Sequence, residues 1–195
     1  MKVKICGITN LEDAAMCEDL GADALGFVHV DGRKRSRPLA EISEMCSSLG
    51  PMTTKVLVCI PKDPYDAERM FAASGADMLQ VHSLEPDELD VLRSDGMTVI
   101  RSVAPDHAEA SRYAAHSDIL LFESSSPGTG SSYDYSRIPT DFCRRSIVAG
   151  GLNTSNMDAA LRLRPYALDV SSGVERSPGK KDHGLVSEFI KRCKR

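Results

Sequence analysis

The first 28 residues, MKVKICGITNLEDAAMCEDLGADALGFV, contain one complete strand–helix–strand unit. The β-branched run at residues 3–6 predicts a strand, and residues 24–28 predict a second one. Between them, residues 11–20 predict a helix that begins after Asn10, a residue type that commonly caps helices. Gly21 follows that helix, where a glycine often ends one. Such a unit predicts two parallel strands joined by a right-handed crossover.

The same alternation continues to the end of the chain. Further strands are predicted at 55–60, 78–82, 98–103, 119–123, 146–149 and 167–171; further helices are predicted at 39–49, 64–73, 86–93, 106–115, 156–163 and 182–193, with a weaker one at 135–143. Eight strand–helix units favour a closed (β/α)₈ TIM barrel over an open doubly wound sheet. The 195 residues are near the minimum for that fold, so we expect a single barrel domain over 1–195.

Composition excludes several classes of protein. Twenty-four Lys and Arg against 28 Asp and Glu give a net charge of −4, which argues against a nucleic-acid or anionic-membrane binder. No apolar run approaches the length of a membrane span, and the N-terminus lacks the apolar region of a signal peptide. We expect a cytoplasmic protein with reduced thiols and no metal site, since no CxxC or Cys/His cluster joins the cysteines at 6, 17, 46, 59, 143 and 193.

Functional groups of a TIM barrel lie at the carboxyl ends of its strands. In the first strand, period-2 alternation turns Val3 and Ile5 toward the helices and turns Lys4 and Cys6 into the barrel. A thiol at the barrel mouth can act as a base or nucleophile if its pKa is lowered, and Lys4 is the neighbour that would lower it. The alternative is that Cys6 is a small buried apolar residue.

The sixth predicted strand ends on a carboxylate, Glu123, which suits a general acid. The alternative is a solvated loop residue. Cys6 and Glu123 lie on strands that face each other across the predicted mouth, and a base paired with an acid favours proton shuttling and hence an isomerase. His82, at the end of the fourth strand, is a further site candidate or else a structural histidine.

Glycine and serine loops follow the seventh and eighth predicted strands. In TIM barrels these two loops often bind phosphate through backbone N–H groups, and glycine allows a close backbone approach. The candidate substrate-binding residues here are Gly150, Gly151, Asp169, Ser171, Ser172 and Gly173.

Two other loops bear on the substrate. Residues 33–37, RKRSR, carry four cations after the second strand, and one guanidinium there suits bidentate capture of a carboxylate. The alternative is a solvated charge run. Residues 128–130, GTG, are expected to form a flexible active-site loop, because no dinucleotide-binding GxGxxG follows the first strand.

Several of these segments together resemble the phosphoribosylanthranilate isomerase family of tryptophan biosynthesis. The matching segments are KICGIT at 4–9, GADALGFV at 21–28, QVH at 80–82, AGGLN at 149–153, DVSSGVE at 169–175 and SPGKKDH at 177–183. The resemblance implies an Amadori rearrangement of N-(5-phosphoribosyl)anthranilate to 1-(2-carboxyphenylamino)-1-deoxyribulose 5-phosphate. It implies no cofactor and no partner beyond this small-molecule substrate, and it leaves the oligomeric state open.

The resemblance also implies roles for single residues. Cys6 would be the base that takes the proton from C2 of the ribose, and the acid at the end of the sixth strand would protonate the ring oxygen. Arg35 would bind the anthranilate carboxylate, with Arg37 as the alternative if the loop register shifts by two.

The sequence departs from the family pattern in three places. The family usually has Asp where this chain has Glu123, the loop at 124–134 is shorter than usual, and YDY at 133–135 replaces Phe-Asp-Trp. Two alternative functions are therefore compatible with the sequence: another cofactor-free sugar-phosphate isomerase, and a barrel that binds a phosphate ligand without catalysis.

Overall fold

The computed structural model describes residues 1–124, 132–139, 141 and 146–195. Eight parallel strands close into a barrel, and each strand pairs with its neighbours in chain order until β8 pairs with β1. The barrel strands are β1 (Lys2–Cys6), β2 (Ala24–His29), β3 (Thr54–Cys59), β4 (Met78–Val81), β5 (Val99–Val103), β6 (Ile119–Phe122), β7 (Ser146–Val148) and β8 (Ala167–Val170). The predicted TIM barrel is confirmed.

Helices follow the barrel strands and cover the outside. The described residues form α1 (Leu11–Asp19), α2 (Leu39–Ser48), α3 (Pro64–Ser74), α4 (Pro86–Ser94), α5 (His107–Tyr113), α6 (Met157–Arg162) and α7 (His183–Cys193). Asn10 caps α1 as predicted, because its side chain accepts a hydrogen bond from the Asp13 backbone N–H. None of these described helices is long and apolar enough to cross a membrane.

In the part of the segment that the structure describes, the weak helix predicted at 135–143 is replaced by a 3₁₀ turn, Tyr135–Arg137, and a further 3₁₀ residue at 141. Residues 140 and 142–145 lie outside the described residues. The turn begins at Asp134, whose side chain accepts a hydrogen bond from the Ser136 backbone N–H. A short side-chain cap of this kind stabilises a turn without requiring a longer helix.

The alternation within each strand separates two apolar layers. Val3 and Ile5 of β1 are buried between the barrel and the helices, whereas Cys6 lies in the cluster that fills the barrel interior. Lys4 is also buried, with only 2% of its surface exposed. The predicted orientation of β1 is therefore confirmed, and it carries an amine and a thiol into the barrel.

A two-stranded antiparallel hairpin, β9 (Glu175–Ser177) and β10 (Lys180–Lys181), follows β8 and was not predicted from the sequence. Its strands are too short to show a hydrophobic period. Gly179 makes the turn with φ +77°, and its carbonyl accepts a hydrogen bond from the Thr9 hydroxyl at 2.5 Å. The hairpin is thereby held against the loop that follows β1.

Candidate active site

The carboxyl ends of all eight barrel strands lie on one rim, because the strands are parallel. Cys6 ends β1, while His82 and Glu123 immediately follow β4 and β6. Going round the barrel, β1 and β6 are separated by β8 and β7, so Cys6 and Glu123 belong to opposite sides of the rim. This is the arrangement that the sequence predicted for them.

The Cys6 thiol lies against a gap left by Gly26, its partner residue on β2. A Cβ atom on Gly26 would lie 2.8 Å from the thiol sulfur and 3.1 Å from the Lys4 Nζ. Any side chain at position 26 would therefore displace the thiol. Gly26 was missed at the sequence level, although a glycine at an inward-facing position of a strand is a signal of close approach.

Beside the thiol, Lys4 and Asp169 form a buried ion pair. The Lys4 Nζ donates to Asp169 Oδ1 at 2.8 Å, and only 2% and 10% of the two side chains are exposed. Burial acts against the charge on Lys4, but Asp169 and Cys6 together outweigh it and raise the pKa of Lys4 above its ordinary value. Asp169, predicted to bind substrate, thus has a second role inside the barrel.

Burial raises the pKa of the Cys6 thiol above its ordinary value. The Lys4 ammonium acts in the opposite direction, as the sequence suggested, but it only partly offsets burial, and Asp169 adds to the increase. Position 6 therefore places a thiol directly beside the Lys4 ammonium. That ammonium stabilises the thiolate whenever it forms.

On the other side of the rim, His82 Nδ1 lies 3.1 Å from Glu123 Oε1. Both side chains are largely buried, with 18% and 14% exposed. The distance is that of an ion pair, yet Oε1 receives no well-aligned hydrogen bond from any described residue. Tyr133 lies next to this carboxyl: its hydroxyl donates to the Phe122 carbonyl, and burial, reinforced by Tyr135 and Glu123, raises the pKa of its phenol. The carboxyl at Glu123 is thus largely buried, and among the described residues its Oε1 has the approach to His82 but no aligned hydrogen bond.

Arg35 lies over the turn that follows β1. A Cβ atom on Gly7 would be 2.5 Å from Arg35 Cδ and 2.8 Å from Ser171 Oγ, and Gly7 has φ +73°. Position 7 therefore accepts only glycine, and Arg35 and Ser171 meet above it. By contrast, Arg37 donates to the Thr9 carbonyl at 3.0 Å and does not share this position.

The loop after β7 presents two glycines in the left-handed region, Gly150 at φ +85° and Gly151 at φ +66°. The Gly150 carbonyl accepts from the Tyr135 hydroxyl at 2.6 Å, and the Gly151 carbonyl accepts from Asn156 Nδ2 at 2.9 Å. Because C=O and N–H point in opposite directions in a trans peptide, the N–H groups of Gly151 and Leu152 point away from these partners. Two successive N–H groups held this way suit an anion.

The loops after β7 and β8 touch. A Cβ atom on Gly173 would lie 1.9 Å from the Leu152 carbonyl oxygen, and Gly173 pairs with Asn153 in an isolated β-bridge. Ser172 is exposed, and its carbonyl accepts a hydrogen bond from the Glu175 backbone N–H at 3.1 Å. The predicted glycine and serine loops therefore form one continuous surface at the rim.

Other predictions concern cysteines, metals and the GTG segment. Among the described residues, no group of three or more His, Cys, Asp or Glu side chains could hold a metal ion. The five cysteines that the structure describes are free and buried. Cys143 and the GTG segment at 128–130 lie outside the described residues.

Comparison with protein families and sequences gives consistent matches over the full length of the chain. The family model described as N-(5'phosphoribosyl)anthranilate (PRA) isomerase matches residues 3–192. The N-(5'-phosphoribosyl)anthranilate isomerase of Thermotoga neapolitana is 37% identical over 202 residues, covering 100% of this chain and 98% of the relative. That of Acidithiobacillus ferrooxidans is 36% identical over 203 residues, with the same coverage.

Solved structures agree with the sequence matches. The crystal structure of phosphoribosyl anthranilate isomerase from Thermus thermophilus superposes with a TM-score of 0.90 at 34% identity, covering 98% of each chain. A phosphoribosyl anthranilate isomerase in complex with reduced 1-(o-carboxyphenylamino)-1-deoxyribulose 5-phosphate superposes with a TM-score of 0.87 at 34% identity, covering 100% of this chain and 98% of the other.

Proposed function

The chain belongs to the N-(5'-phosphoribosyl)anthranilate isomerase family, and we propose that it catalyses the family reaction in tryptophan biosynthesis, the Amadori rearrangement of N-(5-phosphoribosyl)anthranilate. The observation that carries this proposal is the meeting of Arg35 and Ser171 over Gly7, the residue that follows Cys6, with Arg35 close enough to Cys6 to interact with it electrostatically. A base, a carboxylate-binding cation and a residue of a phosphate-binding loop are thereby adjacent. The substrate has a sugar carbon, a carboxylate and a phosphate to match them.

The reaction begins with opening of the furanose ring. Glu123, as general acid, protonates the ring oxygen while the anilino nitrogen lone pair forms the C1 imine, so the C1–O bond breaks. The position of Glu123 supports this role, because its largely buried carboxyl lies at the rim, on the opposite side from Cys6.

Cys6 then completes the isomerisation. Its thiolate takes the proton from C2, giving an enolamine. The proton held by Cys6 is then returned at C1, and the C2 hydroxyl gives its proton to the Glu123 carboxylate, which leaves a ketone at C2, so no atom is gained or lost. The neighbouring Lys4 ammonium supports this step because it stabilises the thiolate. This is acid–base chemistry carried by side chains of the chain itself, and we propose no cofactor for it.

The remaining residues bind the two ends of the substrate. We assign the anthranilate carboxylate to Arg35 in preference to Arg37, because Arg35 lies over Gly7 beside the thiol. The phosphate is assigned to the joined loops after β7 and β8, where the residues are Gly150, Gly151, Ser171, Ser172 and Gly173. His82 and Asp169 line the same rim. The whole chain acts as one domain, and we place its reaction in the cytoplasm.

The direct test mixes purified protein with freshly prepared phosphoribosylanthranilate and follows anthranilate fluorescence. We expect the fluorescence to fall faster than in the uncatalysed reaction, in proportion to protein concentration. Binding of the substrate without acceleration would show a ligand-binding barrel instead. Acceleration only with a different aminoaldose phosphate would show another sugar-phosphate isomerase.

A further inference from the structure

The β9–β10 hairpin carries two opposite charges to the rim of the barrel. Glu175 of β9 and Lys181 of β10 are partners in the strand register. Their side chains are almost completely buried, with 4% of Glu175 and 0% of Lys181 exposed. Neither residue has a role in the acid–base steps above, so their burial beside the site needs another explanation.

Lys181 connects three parts of the site. Its ammonium donates to the carbonyl of Cys6 at 2.7 Å, to the carbonyl of Ser171 at 3.1 Å and to Glu175 Oε1 at 2.9 Å. An ammonium has three N–H donors, so these acceptors match its full capacity. The backbone that carries the thiol and the backbone of the β8 loop are thereby tied to one buried cation.

Glu175 in turn holds Arg35. Its Oε1 accepts from Arg35 Nε at 2.8 Å and its Oε2 accepts from Arg35 Nη2 at 2.7 Å, a bidentate pair. Burial acts against the carboxylate charge, but hydrogen bonds from Arg35 and the charge of Lys181 hold the pKa of Glu175 below its usual range. The carboxylate therefore stays ionised and fixes the plane of the guanidinium.

We propose that Glu175 and Lys181 are positioning residues that aim Arg35 at the carboxylate of the substrate, an inference that rests on the proposed function. Glu175 occupies the Nε–Nη2 edge of the guanidinium, so a second carboxylate must bind the edge formed by Nη1 and Nη2. The ion pair between Arg35 and Glu175 thus determines the direction from which the guanidinium binds the substrate carboxylate.

Charge explains why Lys181 is required as well. An isolated pair of Arg35 and Glu175 is neutral and gives little attraction for an anion. With Lys181 the cluster has a net charge of +1, because two cations surround one carboxylate. A buried site with one excess positive charge is complementary to one substrate carboxylate.

The test compares two stable ligands, made by reductive amination of ribose 5-phosphate with anthranilate or with aniline. They differ only in the carboxylate. We expect Glu175→Gln to weaken binding of the anthranilate ligand by about 10-fold and to change the aniline ligand by less than about twofold, as measured by calorimetry. The matched control is Glu188→Gln, which removes an exposed carboxylate paired with Arg192; it should change neither affinity.

The sign of the change is decisive. If Glu175 acted only through its charge, removing it would leave more positive charge and tighten binding of the anthranilate ligand. That result, an unchanged affinity, or an equal loss for both ligands would overturn the proposal. In the Arg35→Met background, Glu175→Gln should have no further effect on the anthranilate ligand. If Arg35→Met itself keeps the wild-type preference for that ligand, the assignment of Arg35 in the proposed function is wrong.

Discussion

The two sides of the barrel mouth differ in how their polar groups are held. The base side consists of Lys4, Cys6, Arg35, Asp169, Glu175 and Lys181, and the acid side consists of His82, Glu123 and Tyr133. On the base side every buried charge is paired at 2.7–2.9 Å. On the acid side the Glu123 carboxyl has one 3.1 Å approach to His82 and a buried oxygen without an aligned donor among the described residues.

This difference matches the roles that we propose for the two sides. Ionised groups buried together are strongly destabilising unless each is paired, so a charged site of fixed geometry requires a network. A proton donor instead needs a neutral carboxyl that can approach the ring oxygen, and a tight ion pair would keep it ionised. In the proposed mechanism, the paired charges fix the geometry of the base side, and the less tightly paired Glu123 carboxyl suits delivery of a proton.

The largest effect is expected from Cys6→Ala. Removal of the base should lower kcat by about 10⁴-fold, at the upper end for general base catalysis. Affinity for the stable anthranilate ligand should stay near wild type, because the thiol does not hold the carboxylate or the phosphate. Cys46→Ala is the matched control, since Cys46 is a buried cysteine of α2 whose charged neighbours are Lys55 and Asp77 and no residue of the site. Normal turnover by Cys6→Ala would eliminate it as the base.

The next effect concerns the acid. Glu123→Gln should lower kcat by about 10²- to 10³-fold, because an amide cannot donate the required proton. Glu123→Asp restores the residue that is usual in the family and should retain most of the rate or increase it. Steady-state kinetics by fluorescence measure both. If the Glu123 carboxyl has room to adjust, the site should accept the shorter side chain of Glu123→Asp. A decrease in kcat for Glu123→Asp as large as for Glu123→Gln would contradict this expectation.

The base-side network can be tested through pH. The base must be deprotonated, so kcat/KM rises with pH through the Cys6 pKa, which burial raises. Lys4 lowers that pKa and Asp169 raises it. Lys4→Met should therefore move the rise in kcat/KM to higher pH, and Asp169→Asn should move it to lower pH.

Each of these two variants leaves one buried charge unpaired, which costs about 3–5 kcal/mol of stability. The profiles must therefore be recorded at a temperature where circular dichroism shows both variants folded. General structural damage would not shift the two profiles in opposite directions. Shifts of the same sign would show that the ion pair does not tune the thiol.

The barrel and the position of Cys6 could be predicted from sequence because both follow from local periodicity. The period of two in β1 was enough to turn Lys4 and Cys6 inward. Apart from the weak helix predicted at 135–143, strand and helix ends differed from the predicted ends by at most two residues, since hydrogen bonding rather than composition decides the last turn. The same alternation, applied to β2, also turns Gly26 inward, where the missing side chain leaves room for the Cys6 thiol.

The contacts of the network could not be predicted in the same way. Arg35 and Glu175 are separated by 140 residues along the chain and meet only because a short hairpin folds over the rim. From the residues alone, Arg35 is one of four cations in a loop, and Lys181 belongs to a segment that matches the family but carries no predicted role. Which charge is buried and paired depends on packing between distant segments, which local patterns do not contain.

The smallest effect on kcat is expected from loss of the contact between His82 and Glu123 on the acid side. His82→Gln should lower kcat by about two- to fivefold. This is the effect expected when one polar contact that restricts the Glu123 carboxyl is lost. His116→Gln is the matched control, because His116 pairs with Asp90 at 2.8 Å on the exposed helical surface; it should leave kcat unchanged. A loss as large as that of Glu123→Gln would mean that His82 itself supplies the proton, and the acid side would then be a fixed pair like the base side.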